Sequence, residues 1–190
     1  MRIVFGGAGA LGSTAIWFCR NLDVEFAVVD FDRVESKNTL AQAFTRQAIG
    51  KNKAEALKLL LKSYFGKNVD AFGVRLAEDN VEALCKSADL LVDAFDNAAS
   101  RRLLSAFARS LNIPLVHAAM NADSTFRIIR WDELFEADEE EREAQATCEG
   151  GAHLPFIGVL GATLARVIQD FVTSGTKRNL MIDLRSVREH

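Results

Sequence analysis

Three glycines near the start of the chain narrow the possible folds more than any other feature. Gly7, Gly9 and Gly12 fit the pattern G-x-G-x-x-G, directly after the apolar run 2–5 and before a helical spacing of apolar residues at 13–21. Such glycines allow a tight turn, a close approach of a phosphate group to the backbone, and close packing of a helix on a strand. The segment therefore predicts a phosphate-binding turn that joins a first strand to a first helix.

Short apolar runs then alternate with longer helical patterns, which predicts βαβ units around a parallel sheet. We expect strands at 2–5, 26–29, 69–74, 90–95, 114–118 and 125–131, and helices at 13–21, 51–65, 80–86, 98–111 and 154–172. The expected fold class is α/β and Rossmann-like, with a mostly parallel sheet and helices on both faces. A chain of 190 residues suits a single domain, 1–190, in which an acidic segment at about 132–150 forms a crossover loop.

Composition argues against several classes of protein. The net charge of −3 gives little support for a nucleic-acid-binding surface. The cysteines Cys19, Cys85 and Cys148 are far apart and form no C-x-x-C pair, so we expect neither a zinc ribbon nor a disulfide framework. The uncharged apolar stretches are shorter than a membrane span, and no leader precedes the first strand. We therefore expect a cytoplasmic protein with no membrane partner.

An acidic residue supports a nucleotide at the glycine turn. Asp30 lies 18 residues after Gly12, at the end of the second predicted strand. A carboxylate at that position can accept hydrogen bonds from a ribose. Proteins that bind NAD, FAD and ATP all use this arrangement, so the turn and the aspartate leave the choice of nucleotide open.

Three further motifs follow in a fixed order. D-x-D-x-V-x-x-x-N begins at Asp30 and includes Asp32 and Asn38, I-G-x-x-K ends at Lys53, and D-x-x-D-N-x-x-x-R occupies 93–101. Together with the glycine turn they resemble the ThiF/MoeB/HesA family, the bacterial relatives of ubiquitin-activating enzymes. The resemblance extends over nearly the whole chain.

The resemblance implies an ATP-dependent adenylyltransferase that uses ATP and Mg²⁺. Its substrate would be the C-terminal carboxylate of a peptide or of a small ubiquitin-like or sulfur-carrier protein ending in Gly-Gly, and the enzyme would be a homodimer. Little covalent chemistry is needed from such a protein, which must position two anions and neutralise developing charge.

The matching residues suit those tasks. Asp96 follows a predicted strand and can hold Mg²⁺, although it can equally cap the next helix. Lys53 can contact a phosphate as a point charge, although Lys51 and Lys58 look equivalent to it. The remaining candidates for contacts to the nucleotide are polar side chains of the same motifs: Asp30, Asp32, Asn38, Gln42 and Asn97.

The sequence departs from the family pattern in three ways. Ala41 stands where the family commonly has an arginine, which removes one phosphate-contacting cation. The chain starts at the first strand, without the helical arm that many members carry, and it lacks their zinc-binding C-x-x-C pairs. Cys148 lies near the position where sulfur-carrier-activating relatives have a reactive cysteine, so it is a candidate for forming a thioester.

Two other functions stay open. A scaffold that keeps nucleotide or partner binding but has lost catalysis is consistent with Ala41 and the missing arm. An NAD-dependent oxidoreductase is consistent with the glycine turn, but Lys53 and Asp96 argue against it, as does the lack of a following catalytic domain. A close variant of the adenylating reaction would activate a carboxylate carried on RNA.

Overall fold

The computed structural model describes residues 1–120, 126–135, 154–183 and 187–189. Its strands are β1 Arg2–Gly6, β2 Glu25–Val29, β3 Val69–Phe72, β4 Leu90–Asp93, β5 Leu115–Met120, β6 Phe126–Trp131, β7 Leu180–Asp183 and β8 Val187–Glu189. Its helices are α1 Ala10–Phe18, α2 Asn38–Ala41, α3 Lys53–Phe65, α4 Val81–Cys85, α5 Ala98–Leu111 and α6 Leu154–Ser174.

All eight strands form one sheet in the order β3-β2-β1-β4-β5-β6-β7-β8. Strands β1 to β5 pair in parallel, whereas β6, β7 and β8 pair antiparallel to their neighbours. The chain order reverses between β1 and β4, which lie side by side. In open α/β sheets this reversal leaves a crevice at the carboxyl ends of the strands, where ligands bind.

Helices cover both faces of the sheet, which confirms the expected Rossmann-like fold class. Buried residues of α1, α3 and α6 form one apolar cluster with the sheet, and those of α4 and α5 form the other. Each parallel strand is therefore buried on two sides, which explains why the first strands are apolar at successive positions rather than at alternate ones.

Asparagine side chains begin two of the helices. Asn52 Oδ1 accepts a hydrogen bond from the Glu55 backbone at 3.1 Å, so α3 starts at Lys53 rather than at the predicted residue 51. Asn97 Oδ1 accepts from the Ser100 backbone at 2.9 Å and begins α5. In both cases a side-chain oxygen satisfies an N–H group that has no partner within the helix.

Two predicted boundaries were wrong near the crevice. Helix α1 begins at Ala10, inside the glycine motif, rather than at residue 13. Strand β4 ends at Asp93 rather than at residue 95, because the Asp93 carboxylate turns the chain by accepting a hydrogen bond from the Phe95 backbone at 3.0 Å. The first difference shortens the glycine turn, and the second lengthens the loop between β4 and α5.

Helix α6 has the length and composition of a membrane span, with a mean hydropathy of 1.4 over its best 18-residue window. A core helix of a globular fold meets the same criterion. Here α6 packs along α1, and an added Cβ at Gly161 would lie 2.5 Å from the Thr14 side chain. Packing of α6 against α1 in the core therefore explains why the helix is apolar.

Candidate functional site

The glycine turn sits at the carboxyl end of β1 and is fixed by backbone contacts. The Gly7 N–H donates to the Val29 carbonyl at 2.9 Å, and Gly7 has a φ of +96°, which few other residues adopt. A Cβ at Gly12 would lie 2.0 Å from the Gly7 carbonyl oxygen, whereas a Cβ at Gly9 would meet nothing within 4 Å. The turn is thus tightly packed at its ends and open at Gly9, where a phosphate could approach.

Asp30 holds this turn against the end of β2. One carboxylate oxygen accepts the Ala8 backbone N–H at 2.7 Å and the other accepts the Asp32 N–H at 2.8 Å. Burial raises the pKa of Asp30, and the two backbone hydrogen bonds and the charge of Lys53 act in the opposite direction. Each oxygen keeps acceptor capacity, so the same carboxylate can also bind ribose hydroxyls.

Lys53 is distinguished from its neighbours by burial. Its side chain is 10% exposed and its ammonium group lies 2.9 Å from Asp32 Oδ2. Lys58, by contrast, is half-exposed and lies near Glu55. Lys53 and Lys58, which look equivalent in the sequence, therefore differ, and the structure joins Lys53, Asp32 and Asp30 into one charged group.

Asn52 supports the site, although the sequence motifs did not identify it as a site residue. Its side-chain amide donates to the carbonyls of Asp30 and Asp32 at 2.8 and 3.1 Å, while its oxygen caps α3. It therefore fixes the loop after β2 relative to the start of α3, and with it the distance between Asp32 and Lys53. The pattern N-x-x-E at 52–55 was the sequence signal that could have found it.

The loop after β4 packs beside the glycine turn. The Ala94 N–H donates to the Gly6 carbonyl at 2.8 Å, and a Cβ at Gly6 would collide with the Phe95 ring. Asp96 follows on this loop, is exposed, and has no hydrogen bond or ion pair among the described residues. Because Asn97 caps α5, the alternative that Asp96 caps this helix is wrong, and its carboxylate is free to bind a cation.

Asn38 and Gln42, two polar residues of the segment after β2, differ in their partners. Asn38 is buried, and its side-chain oxygen accepts the Glu35 N–H at 2.8 Å, which shapes the loop before α2. Gln42 and Ala41 border an apolar groove of about 360 Å³ between α1, α2, α3 and α6, and the buried side-chain oxygen of Gln42 has no hydrogen-bond partner among the described residues. That oxygen needs a donor, such as a ribose hydroxyl or a peptide N–H, rather than a phosphate.

Two of the three cysteines lie among the described residues. Cys19 and Cys85 are buried, and burial raises the pKa of their thiols to about 12 and about 11, so both are inert core residues. Cys148 lies outside the described residues, as does most of the acidic segment 132–150.

Beside the crevice, a buried histidine connects two aspartates. His117 on β5 has Nδ1 2.7 Å from Asp93 Oδ2 and Nε2 2.9 Å from Asp132 Oδ1. Asp132 also accepts from Ser105 and Arg109 on α5. His117 is thus a hydrogen-bonded core histidine, and Arg101, 3.6 Å from Asp93, is a structural partner of that acid.

These contacts shift the pKa values of His117 and Asp132. Burial alone lowers the pKa of His117, but hydrogen bonds to Asp132 and Asp93 outweigh it, so the net pKa is raised. Burial likewise opposes ionisation of Asp132, yet hydrogen bonds from His117, Arg109 and Ser105 hold its pKa well below the usual range. Both shifts therefore favour the ionised forms of His117 and Asp132.

A dependence of stability on pH follows from the raised pKa of His117. The imidazolium contributes its full stabilisation below 6.5, its pKa when unfolded, and this contribution is lost as the pH rises through the folded pKa. We expect the urea midpoint of the protein to fall as the pH rises above 6.5, and His117→Gln to flatten that part of the profile. Parallel profiles for the two proteins would contradict the assignment.

Comparisons with known proteins identify the family of the chain. The ThiF family profile matches residues 1–185. The chain belongs to the ThiF family. It is 35% identical over 122 residues, 63% of its length, to the SAMP-activating enzyme E1 of Haloferax volcanii, and 34% identical over 127 residues, 62% of its length, to the sulfur carrier protein adenylyltransferase of Thermus thermophilus. The chain spans 45% of each of these relatives, less than half their length.

A third relative by sequence is the adenylyltransferase and sulfurtransferase UBA4 of Meyerozyma guilliermondii, which is 28% identical over 169 residues, 84% of this chain and 40% of the relative.

Solved structures show the same fold. E. coli MccB crystallised with ATP superposes with a TM-score of 0.77 at 17% identity, over 100% of this chain and 62% of MccB. PaaA superposes with a TM-score of 0.75 at 16% identity, over 100% of this chain and 63% of PaaA.

Proposed function

We propose that this ThiF-family chain is an ATP-dependent adenylyltransferase. In the proposed reaction a carboxylate oxygen of the acceptor attacks the α-phosphorus of ATP, the bond to the β-phosphate oxygen breaks, and pyrophosphate leaves. The product is an acyl-adenylate. The observation that carries the proposal is a free carboxylate, Asp96, held beside an open phosphate-binding turn at the point where the strand order reverses.

The geometry supports a specific division of tasks. Gly9 and the start of α1 would receive the phosphates, because the turn is open there and the first N–H groups of a helix attract anions. Asp30 would bind the ribose through its remaining acceptor capacity. Lys53 would exchange its contact with Asp32 for one with a phosphate, since a lysine serves as a mobile point charge.

The residues present also fit a magnesium ion. The described residues contain no cluster of three or more metal-ligating side chains, so a metal site built from protein alone is not expected in this part of the chain. Mg²⁺ is usually held by one or two carboxylates together with substrate phosphates, and Asp96 is such a carboxylate. The ion would neutralise charge that develops on the phosphates.

The acceptor is proposed to be the C-terminus of a small ubiquitin-like or sulfur-carrier protein, or of a peptide. Support comes from the names of the relatives, which include a SAMP-activating enzyme and a sulfur carrier protein adenylyltransferase. The homodimer and the cytoplasmic location stay predictions from the sequence, and light scattering would measure the oligomeric mass.

Pyrophosphate exchange tests the proposal most directly. We expect the protein to incorporate labelled pyrophosphate into ATP when Mg²⁺ and a Gly-Gly-ended sulfur carrier are both present, and a carrier truncated by two residues serves as the matched control. Calorimetry with ATP–Mg²⁺ and NAD(H) supplies a second measurement. Binding of ATP without exchange would favour the non-catalytic scaffold, whereas binding of NAD(H) alone would overturn the proposal.

Lys53→Ala is expected to raise the Kd for ATP by about tenfold, since one charge-assisted phosphate contact contributes roughly 1.5 kcal/mol. Lys58→Ala is the matched control, because it removes a half-exposed lysine from the same helix. Calorimetric titration of both variants measures the difference. Equal affinities for the two variants would show that the buried lysine does not contact the nucleotide.

A further inference from the structure

We infer that His117 is a positioning residue for the proposed reaction. As a buried cation bridging Asp93 and Asp132, it holds the loop after β4, and with it Asp96, in the place where a magnesium ion would be bound. The inference rests on the proposed function, because the position of Asp96 matters to the reaction only if Asp96 binds the ion that accompanies ATP.

The protonation state follows from the two contacts. A neutral imidazole carries one N–H and can donate to only one carboxylate, yet both ring nitrogens of His117 lie within 2.9 Å of a carboxylate oxygen. A ring that donates to both carboxylates is therefore the imidazolium. The ring is fully buried and stacks on Phe135 with centroids 3.8 Å apart, so water cannot take the place of either partner.

Charges from every packed element balance this cation. Asp93 on β4 faces Nδ1, and Asp132, just after β6, faces Nε2. From α5, Arg101 approaches Asp93, and Arg109 with Ser105 binds Asp132. Each carboxylate is thus paired on two sides, the arrangement that makes a buried ionic group tolerable.

Asp93 connects His117 to the backbone that precedes Asp96. While Oδ2 of Asp93 binds His117, Oδ1 accepts the Phe95 N–H at 3.0 Å, and Arg101 donates to the Phe95 carbonyl. Phe95 is therefore held through both of its backbone polar groups. Asp96 has no hydrogen bond or ion pair of its own among the described residues, so its position is set by its fixed neighbours, Phe95 and the helix cap Asn97.

The test is the dependence of pyrophosphate exchange on Mg²⁺ concentration in His117→Gln. Glutamine can donate to one carboxylate but carries no charge, so the loop is expected to lose part of its fixation. We expect the Mg²⁺ concentration for half-maximal exchange to rise about 10- to 100-fold, the usual effect of removing a group that orients a metal ligand. The affinity for ATP without Mg²⁺ should stay unchanged.

A variant at a neighbouring exposed residue serves as the control for His117→Gln. Leu134→Ala alters an exposed residue of the turn that begins at Asp132 and should leave the Mg²⁺ dependence unchanged. A purely structural histidine would lower the melting temperature of His117→Gln without moving the Mg²⁺ dependence, and that result would overturn the inference. Should His117→Gln not fold, Asp132→Asn removes one charge from the bridge and is expected to move the Mg²⁺ dependence in the same direction.

Nitrogen-15 NMR of the imidazole tests the bridge without any activity. In the unaltered protein both ring nitrogens of His117 should carry protons at pH 7.5, and the signals should disappear in His117→Gln. A neutral ring at that pH would overturn the inference and leave the proposed function standing. Protonated nitrogens in a protein that neither binds ATP–Mg²⁺ nor exchanges pyrophosphate would instead overturn the proposed function, and the positioning role with it.

Discussion

Asp96→Asn is expected to reduce Mg²⁺-dependent pyrophosphate exchange by about 100-fold or more while leaving the protein folded. A metal ion that stabilises charge on transferring phosphates contributes several kcal/mol, and each 1.4 kcal/mol corresponds to a factor of ten in rate. Asparagine keeps the shape of the side chain but removes the charge that holds the cation. Because Asp96 is exposed and lacks partners among the described residues, the urea midpoint should not change.

The matched control is Asp79→Asn, which neutralises another exposed aspartate in a loop, between β3 and α4. We expect the control to exchange pyrophosphate at the unaltered rate with the same Mg²⁺ dependence. Two results would contradict the assignment of Asp96: equal rates for the two variants, or an Asp96 variant whose lost exchange is accompanied by a matching loss of stability.

Much of the site could be predicted because the motifs follow strands. In a parallel sheet the carboxyl ends of the strands meet at one edge, so Gly7, Asp30 and Asp96 come together although they are distant in sequence. The types of side chain then indicated their tasks. Burial of Lys53 could not be predicted in the same way, since Lys51, Lys53 and Lys58 share one helical segment and only the packed structure separates them.

The residues that support the site were harder to predict. His117 contacts partners 24 and 15 residues away, and the sequence gives no sign that Asp93 and Asp132 would lie on either side of it. Local spacing likewise cannot show that β6 pairs antiparallel to β5. In this pairing His117 lies opposite Arg130, which brings Asp132, two residues later, close to the histidine. Asn52 differs, because a capping pattern is local and could have been read from the sequence.

The glycine turn allows a paired test of packing against binding. Gly12→Ala is expected to destabilise the protein by about 3 kcal/mol, at the upper end of typical overpacking, because the new Cβ would lie 2.0 Å from the Gly7 carbonyl oxygen, a backbone atom that cannot move aside cheaply. For a domain of this size that loss corresponds to a melting temperature roughly 6–12 °C lower.

Gly9→Ala should behave in the opposite way. Its Cβ would meet nothing within 4 Å, and Gly9 already has a φ of −71°, which alanine adopts freely, so stability should change by less than about 1 kcal/mol. The methyl group would nevertheless occupy the open side of the turn where the phosphates are expected, and calorimetry should show ATP binding at least tenfold weaker. Unchanged ATP affinity in Gly9→Ala would place the phosphates elsewhere, whereas a loss of stability equal to that of Gly12→Ala would show that the turn is closed at Gly9 as well. Because the two substitutions add the same methyl group three residues apart, their contrast separates the space that the fold needs from the space that the nucleotide needs.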